Sequence, residues 1–151
     1  SRVARSNIAA CTLLGAQVTL VAPPTLLPAH IAQWPVRVSH SLDEVIASTD
    51  VLYMLRLQSE RMDQGLIPNL GEYGNRFGLT DQRAQKLQST AVVMHPGPMN
   101  RGVEMHVDPA DLPNSLIHKQ VANGVSVRMA VLFDVLARGG ELNSLKEEGV
   151  A

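Results

Sequence analysis

In the stretch Asp50-Val51-Leu52-Tyr53-Met54-Leu55-Arg56-Leu57-Gln58, five consecutive apolar residues give way abruptly to polar ones. An unbroken apolar run of this kind is typical of a central strand that is covered on both faces. A second run, Ala91-Val92-Val93-Met94, leads straight into a turn that contains two prolines. Both runs therefore predict buried strands of a parallel sheet, each ending in a loop with polar or conformationally restricted residues.

Helices alternate with short strands on either side of these two runs. A helix is predicted from Val3 to Leu14, with Gly15 as its C-terminal cap, and a strand from Gln17 to Ala22 follows it. Ser41 and Glu44 have the spacing of a capping box and begin a helix of about two turns. This alternation predicts an α/β protein, a three-layer αβα fold with a parallel, Rossmann-like sheet.

The second half of the chain contributes one predicted loop and two predicted helices. The stretch from Gly65 to Gly78 holds four glycines and a proline without a clear period, which predicts a long, mobile loop. Helices are predicted from Asp81 to Leu87 and from His118 to Ala137, and the pair Gly139-Gly140 is expected to end the second one.

The composition is that of an ordinary globular domain. The 151 residues are 45% hydrophobic and 18% charged, so we expect one domain over residues 1–140 and a charged, loose tail over residues 141–151. The net charge is -1 and no stretch concentrates Lys and Arg, which argues against nucleic acid as a partner. The apolar runs are far shorter than the roughly 20 residues that span a bilayer, so no membrane association is expected.

Cysteine and histidine usage predicts neither a disulfide nor a metal site. Cys11 is the only cysteine, which fits a reducing cytoplasm, and its place in an apolar helical pattern favours a buried thiol. The five histidines lack the spacing of metal ligands, and no G-x-G-x-x-G or P-loop pattern occurs. We therefore expect no metal and no cofactor.

The end of the first apolar run carries a candidate anion-binding pair. Ligands of open parallel sheets bind outside the carboxyl ends of the strands, and Arg56 must leave the sheet there with Gln58 pointing the same way. A guanidinium fork can take a planar carboxylate in two parallel hydrogen bonds. The equal alternative is that Arg56 pairs with an acidic neighbour such as Glu60.

The turn His95-Pro96-Gly97-Pro98 is a candidate acceptor site. Proline removes N–H donors but leaves carbonyls, and Gly97 can adopt backbone angles closed to other residues. The turn therefore suits a substrate group that presents N–H, although by itself a plain rigid turn is the simpler interpretation. His95 is a candidate general acid or base, yet a lone histidine at a strand end is more often structural.

Arg2 and Arg5 lie at the start of the first helix, where the helix dipole disfavours cations. A bound anion would explain them, because free backbone N–H groups and guanidinium forks together make a carboxylate or phosphate pocket. The alternative is that both arginines are solvated at a ragged terminus.

Three segments, with their order and spacing, carry a resemblance: Ser1-Arg2-Val3-Ala4-Arg5-Ser6-Asn7, Tyr53-Met54-Leu55-Arg56-Leu57-Gln58-Ser59-Glu60-Arg61 and His95-Pro96-Gly97-Pro98-Met99-Asn100-Arg101-Gly102. Together they resemble the carbamoyltransferases, and the aspartate-using branch in particular, from residue 1 to about residue 140. The ornithine-using relatives carry a cysteine in an H-C-L-P turn where this chain has His95-Pro96-Gly97-Pro98. That departure favours aspartate.

The resemblance implies transfer of the carbamoyl group from carbamoyl phosphate to L-aspartate, giving N-carbamoyl-L-aspartate and phosphate in pyrimidine biosynthesis. Two arginines and a glutamine would bind the aspartate carboxylates, and carbonyls of the proline turn would accept N–H groups from the carbamoyl moiety and the attacking amine. The glycine-rich loop would close over the site. The implied residues are Arg2, Arg56 and Gln58 for L-aspartate, and Pro96, Gly97 and Pro98 for carbamoyl phosphate.

The resemblance also implies parts that these 151 residues do not contain. They are an N-terminal carbamoyl phosphate domain, a strand before Ser1 in the middle of the sheet, and a lysine from a neighbouring subunit of a homotrimer. We therefore expect the segment to be inactive alone, with regulatory or dihydroorotase-type chains as further candidate partners. A non-catalytic binding or regulatory module of the same fold and an ornithine-type carbamoyltransferase domain are the alternatives.

Overall fold

The computed structural model describes residues 1–58 and 69–148, and the chain divides into two compact units, residues 1–117 and 118–151. In the described part of the first unit the strands are β1 (Thr19–Val21), β2 (Arg37–Ser39), β3 (Val51–Tyr53) and β4 (Val92–Met94). Its α-helices there are α1 (Arg2–Leu13), α2 (Leu42–Val45), α3 (Leu70–Phe77) and α4 (Asp81–Ala84). A long helix, α5 (Ile117–Glu148), forms the described part of the second unit.

The strands pair in parallel, as the sequence predicted. β1 pairs with β2, and β3 pairs with β4 in the register that sets Val51 opposite Val92 and Tyr53 opposite Met94. Across the residues that the structure describes, these are two separate two-stranded sheets. The backbone of Val93 also exchanges hydrogen bonds with Asn114 and Leu116, so residues 114–116 continue the β3–β4 pair on its far side.

The hydrophobic core of the first unit forms around β3 and β4. Leu52 and Val93, on neighbouring strands, pack with Ile46, Leu79 and Met105, all of which are almost fully buried. Burying side chains of this size contributes about 1.5–3 kcal/mol each. The core therefore fixes the strand pair whose carboxyl ends carry the candidate residues. The prediction that β3 is covered on both faces was wrong for Val51, which is 52% exposed.

The helix α3 lies where the sequence predicted a mobile loop, and that prediction was wrong for residues 70–77. The Asn69 side chain caps the helix by accepting from the Glu72 amide at 2.6 Å. A Cβ on Gly74 would lie 2.9 Å from the Val103 carbonyl oxygen, so this glycine permits a close approach of two backbones. Residues 65–68 of the predicted loop lie outside the described residues, as does Glu60.

The helix α5 continues beyond the predicted end at Gly139-Gly140 and reaches Glu148. A glycine in a helix costs about 1 kcal/mol relative to alanine, and the good helix formers that follow, such as Glu141 and Leu142, can offset that cost. The predicted end of the helix was therefore wrong, while the domain boundary at residue 140 stays a prediction. The predicted apolar stripe is 55% to 74% exposed, at Val121, Val125, Met129, Leu132 and Leu136.

Within α5, the segment Ile117–Ala137 is long and apolar enough to cross a bilayer by length and composition alone. A single such helix is weak evidence, because core helices of soluble proteins meet the same criterion. The expectation of no membrane association stays a prediction.

The first helix and its cap agree with the sequence, but the capping box before α2 does not form. Gly15 follows α1 with φ +81°, as expected of a helix-ending glycine. The Ser41 side chain makes no capping hydrogen bond, and Ser39 Oγ instead donates to Glu44 Oε2 at 3.2 Å. Cys11 is half-buried rather than buried.

Candidate functional site

The two candidate strand ends leave the sheet side by side. Because Tyr53 and Met94 are partners in a parallel pair, the next residues of both strands emerge at the same carboxyl edge. The Met54 amide donates to the Met94 carbonyl at 2.9 Å, which carries the pairing up to that edge. Arg56 therefore follows β3 at the edge where His95 begins the proline turn.

The turn is held by its own histidine. Gly97 has φ +67° and a cis peptide bond to Pro98, and its amide donates to His95 Nδ1 at 2.9 Å. A neutral ring that accepts at Nδ1 carries its proton on Nε2. In the part of the chain that the structure describes, no hydrogen bond engages the carbonyls of Pro96 and Gly97. The turn therefore offers these two acceptors, and its one glycine amide is already used.

A buried carboxylate, which sequence reasoning missed, lies behind the turn. Glu104 is 1% exposed, and its Oε1 lies 3.3 Å from Nε2 of the fully buried His95. The same oxygen accepts from the Asn100 amide at 2.5 Å, and Oε2 makes a long contact of 3.5 Å with the Leu57 amide. Burial alone would raise the pKa of Glu104, but the adjacent His95 ring and the backbone amides of Asn100, Leu57 and Glu104 itself together lower it below its ordinary value. Glu104 is therefore an anion at neutral pH.

The peptide between the two candidate binding residues contacts the same loop. The Leu57 carbonyl accepts from Asn100 Nδ2 at 2.8 Å, while its amide faces Glu104. Both backbone groups of Leu57 are thus held by residues 100–104, and its side chain is buried. Arg56 and Gln58 are the immediate chain neighbours of this anchored residue. Arg56 is half-buried and Gln58 is exposed.

Helix α3 approaches this carboxylate from another side. The Leu79 amide donates to the Glu104 backbone carbonyl at 2.9 Å. Burial and the nearby charge of Glu104 raise the pKa of Tyr73 to about 12, and its ring lies 5.3 Å from that of Phe77. Glu104 therefore lies among three segments: the turn, the end of β3 and the α3 region.

The arginines of the first helix are less closely connected. Arg2 is the first residue of α1 and is exposed. The guanidinium of Arg5 lies over the Trp34 ring, 5.4 Å from its centroid, a cation–π contact that accounts for this arginine without a bound anion. The contacts described above bring together Arg56, Gln58 and the proline turn but do not include Arg2.

A cleft of about 450 Å³ lies elsewhere and contains none of the predicted binding residues. The buried guanidinium of Arg83 donates to Asp43 at 2.7 and 3.0 Å and to the Gly78 carbonyl at 2.7 Å. Lys86 also contacts Asp43, at 2.7 Å. These ion pairs join α2 to α4, which is a structural role. The cleft is lined by Asp43, Asn75, Thr80, Asp81, Gln82, Arg83 and His106.

Residues 1–135 match the family model described as aspartate/ornithine carbamoyltransferase, Asp/Orn binding domain. The chain belongs to this family. Its relatives include the aspartate carbamoyltransferase catalytic subunits of Mycobacterium ulcerans, 52% identical over 151 residues, and of Thermobifida fusca, 51% identical over 149 residues. The match covers 100% and 99% of this chain but only 46% and 47% of those relatives, so the chain spans about half their length.

A solved member of the family has the same fold. The aspartate transcarbamoylase of Trypanosoma cruzi, in complex with carbamoyl phosphate and aspartate, has a TM-score of 0.62 at 31% identity, over 77% of this chain and 40% of that one. The resemblance read from the three sequence segments and the αβα fold class are thereby confirmed. The roles of Arg2, Arg56, Gln58, Pro96, Gly97 and Pro98 within the family site stay predictions.

Proposed function

We propose that this chain supplies the L-aspartate site of an enzyme that transfers the carbamoyl group from carbamoyl phosphate to L-aspartate. The observation that carries the proposal is the shared sheet edge, where Arg56 and Gln58 follow β3 beside the acceptor turn that follows β4. The names of the relatives and the two ligands of the Trypanosoma cruzi complex agree with this chemistry.

The proposed reaction needs positioning more than acid–base chemistry from these residues. The guanidinium of Arg56 takes one aspartate carboxylate with help from Gln58, and Arg2 takes the other. The carbonyls of Pro96 and Gly97 accept N–H groups from the carbamoyl moiety and the amine. The uncharged amine attacks the carbonyl carbon and a tetrahedral intermediate forms. Its C–O bond to phosphate then breaks, and the departing phosphate takes the amine proton. Holding two reactants in this way can supply about 7–11 kcal/mol of the barrier reduction.

The rest of the machinery is proposed to come from outside these residues. We infer an N-terminal domain that binds carbamoyl phosphate, and a strand between the β1–β2 and β3–β4 pairs. A cytoplasmic homotrimer and association with regulatory or dihydroorotase-type chains are further parts of the proposal. The separate pairing of the strands supports the additional strand, and the relatives, of which the chain covers 46% and 47%, support the additional domain.

The test is to replace Arg56 with alanine in the complete protein and to measure steady-state kinetics with both substrates. Loss of charge-assisted hydrogen bonds worth about 1.5–3 kcal/mol should raise the KM for aspartate roughly 12- to 150-fold and leave that for carbamoyl phosphate within about twofold. The exposed Arg37 on β2 is the matched control, because Arg37→Ala makes the same change of charge on the other strand pair.

An unchanged aspartate KM in Arg56→Ala would refute the site assignment. Product formation from L-ornithine in place of L-aspartate would instead favour the ornithine-type alternative. A complete protein that forms neither product would favour the non-catalytic module.

A further inference from the structure

The buried carboxylate of Glu104 connects the two halves of the proposed site. We infer that Glu104, together with Asn100, is a positioning residue that holds the peptide of Arg56 and Gln58 against the carbamoyl-accepting turn. This inference rests on the proposed function, and neither residue is assigned a contact with substrate.

Besides the amide of Glu104 itself, three donors face the Glu104 carboxylate, and each comes from a different part of the site. They are the ring Nε2 of His95 in the turn, the amide of Asn100 in the loop after it, and the amide of Leu57 beyond β3. Only a group that accepts at both oxygens satisfies all three. A carboxylate does so, whereas an amide must turn its NH2 toward at least one donor.

Burying this charge is costly, which argues that the contacts are specific. An ion in the protein interior loses the solvation that water gives it, and removing a partner of such an ion leaves the charge uncompensated. With 1% exposure, Glu104 depends on these donors for that compensation. The geometry of the loop and of the β3 end is therefore coupled through one side chain.

On the aspartate side, the coupling acts on the backbone of Leu57. Glu104 contacts its amide and Asn100 donates to its carbonyl at 2.8 Å, so the peptide groups that flank Leu57 are fixed from both ends. Arg56 and Gln58 are its immediate neighbours, and rotation of these peptides would redirect both side chains. A displacement of about 1 Å can cost roughly 100-fold in rate when the reactants must be aligned.

On the carbamoyl side, the coupling continues through His95. Its Nε2 lies 3.3 Å from Glu104 Oε1, and its Nδ1 accepts from the Gly97 amide. Releasing Glu104 therefore also loosens the ring that shapes the turn. A continuous path runs from the Leu57 amide through Glu104 and His95 to Gly97.

The experiment compares Glu104→Gln, Glu104→Asp and Asn100→Ala in the complete protein. Glu104→Gln keeps the shape but places an NH2 against a donor, so we expect the KM for aspartate to rise by about tenfold or more. Glu104→Asp keeps an acceptor-only group on a shorter stem and should fall between the wild type and Glu104→Gln. Asn100→Ala removes one neutral hydrogen bond and should raise the KM about 2- to 12-fold.

The control for a merely structural effect is Asp43→Asn, which removes a charge from the ion pairs between α2 and α4. It should lower thermal stability without changing the KM for aspartate. A double variant, Glu104→Gln with Asn100→Ala, should raise the KM by less than the product of the single effects, because both changes release the same peptide.

Two results together would overturn the inference. Glu104→Gln and Asn100→Ala would both lower the thermal stability, and the KM for aspartate of each would stay within twofold of the value for Asp43→Asn. If Glu104→Gln does not fold, Asn100→Ala decides by the same criterion. Because Arg56→Ala is measured alongside, a normal KM in the Glu104 and Asn100 variants with a raised KM in Arg56→Ala refutes the positioning role alone. A normal KM in Arg56→Ala refutes the proposed function and this inference with it.

Discussion

Glu104 and Asp43 are both carboxylates with a lowered pKa, but the physical causes differ. Glu104 is buried and is compensated by a histidine ring and backbone amides. Asp43 is exposed, and hydrogen bonds from Arg83 and Lys86 lower its pKa from 3.8 to about 2. The two groups therefore report on different things: Glu104 on the geometry of the site, and Asp43 on the attachment of α4 to α2.

Replacing Asp43 with asparagine should change how the free energy of unfolding depends on pH. The folded pKa is depressed, so the contribution of Asp43 is present above about pH 4 and is lost as the pH falls toward 2. The stability difference between wild type and Asp43→Asn should therefore shrink from pH 6 to pH 3. Because the Asp43 side chain is 41% exposed, added salt should also reduce this stability difference. Urea denaturation at each pH measures this, and a difference independent of pH would contradict it.

The candidate binding residues were accessible to sequence reasoning because they directly follow apolar runs. Arg56 and the proline turn each mark the end of a strand, and parallel pairing then places them at one edge. Glu104 was missed because its contact with Leu57 spans 47 residues, and such contacts leave no local pattern. A signal was present, since a glutamate between Val103 and Met105 in an apolar stretch must be exposed or paired.

At the level of elements, α3 shows how glycine can mislead. Gly71 and Gly74 lowered the predicted helix propensity, yet the structure has a capped helix there because Gly74 lets it approach the backbone at Val103. The end of α5 was missed for a related reason. The sequence predicted that Gly139-Gly140 would end this helix, but the helix continues through both glycines. A glycine can indicate either a flexible backbone or a place where two backbones pack closely, and only the tertiary contacts distinguish the two.

Replacing Gly74 with alanine should destabilise the protein although alanine is the better helix former. The new Cβ would lie 2.9 Å from both the Val103 carbonyl oxygen and His106 Nε2, and overpacking of this kind costs about 1–3 kcal/mol. Gly71→Ala in the same helix is the control, because its nearest neighbour is the Asn69 side chain at 3.3 Å. Chemical denaturation should give Gly74→Ala a lower free energy of unfolding than Gly71→Ala. Equal values would mean that the fold does not need the close approach at Gly74.

At the level of the whole molecule, the sequence predicted parallel strands but not how the strand pairs associate. The apolar runs specify strands, whereas the order of strands in a sheet depends on contacts that no single run encodes. Two of the proposed aspartate residues, Arg56 and Gln58, follow β3 of the β3–β4 pair, and the chain spans about half the length of its relatives. The proposed reaction also needs groups that bind phosphate, which the proposal assigns to the other half.

The isolated 151 residues should therefore form no N-carbamoyl-L-aspartate, whereas the complete protein at the same concentration should. Carbamoyl transfer requires both reactants to be held together, and the proposed aspartate residues orient only one of them fully. Product formation with both substrates at saturation is the measurement, with Arg56→Ala in the complete protein as the control for the aspartate site. Calorimetry of the isolated residues with L-aspartate should give only weak binding. Turnover by the isolated residues would show that the phosphate-binding groups lie within them and would overturn the two-half proposal.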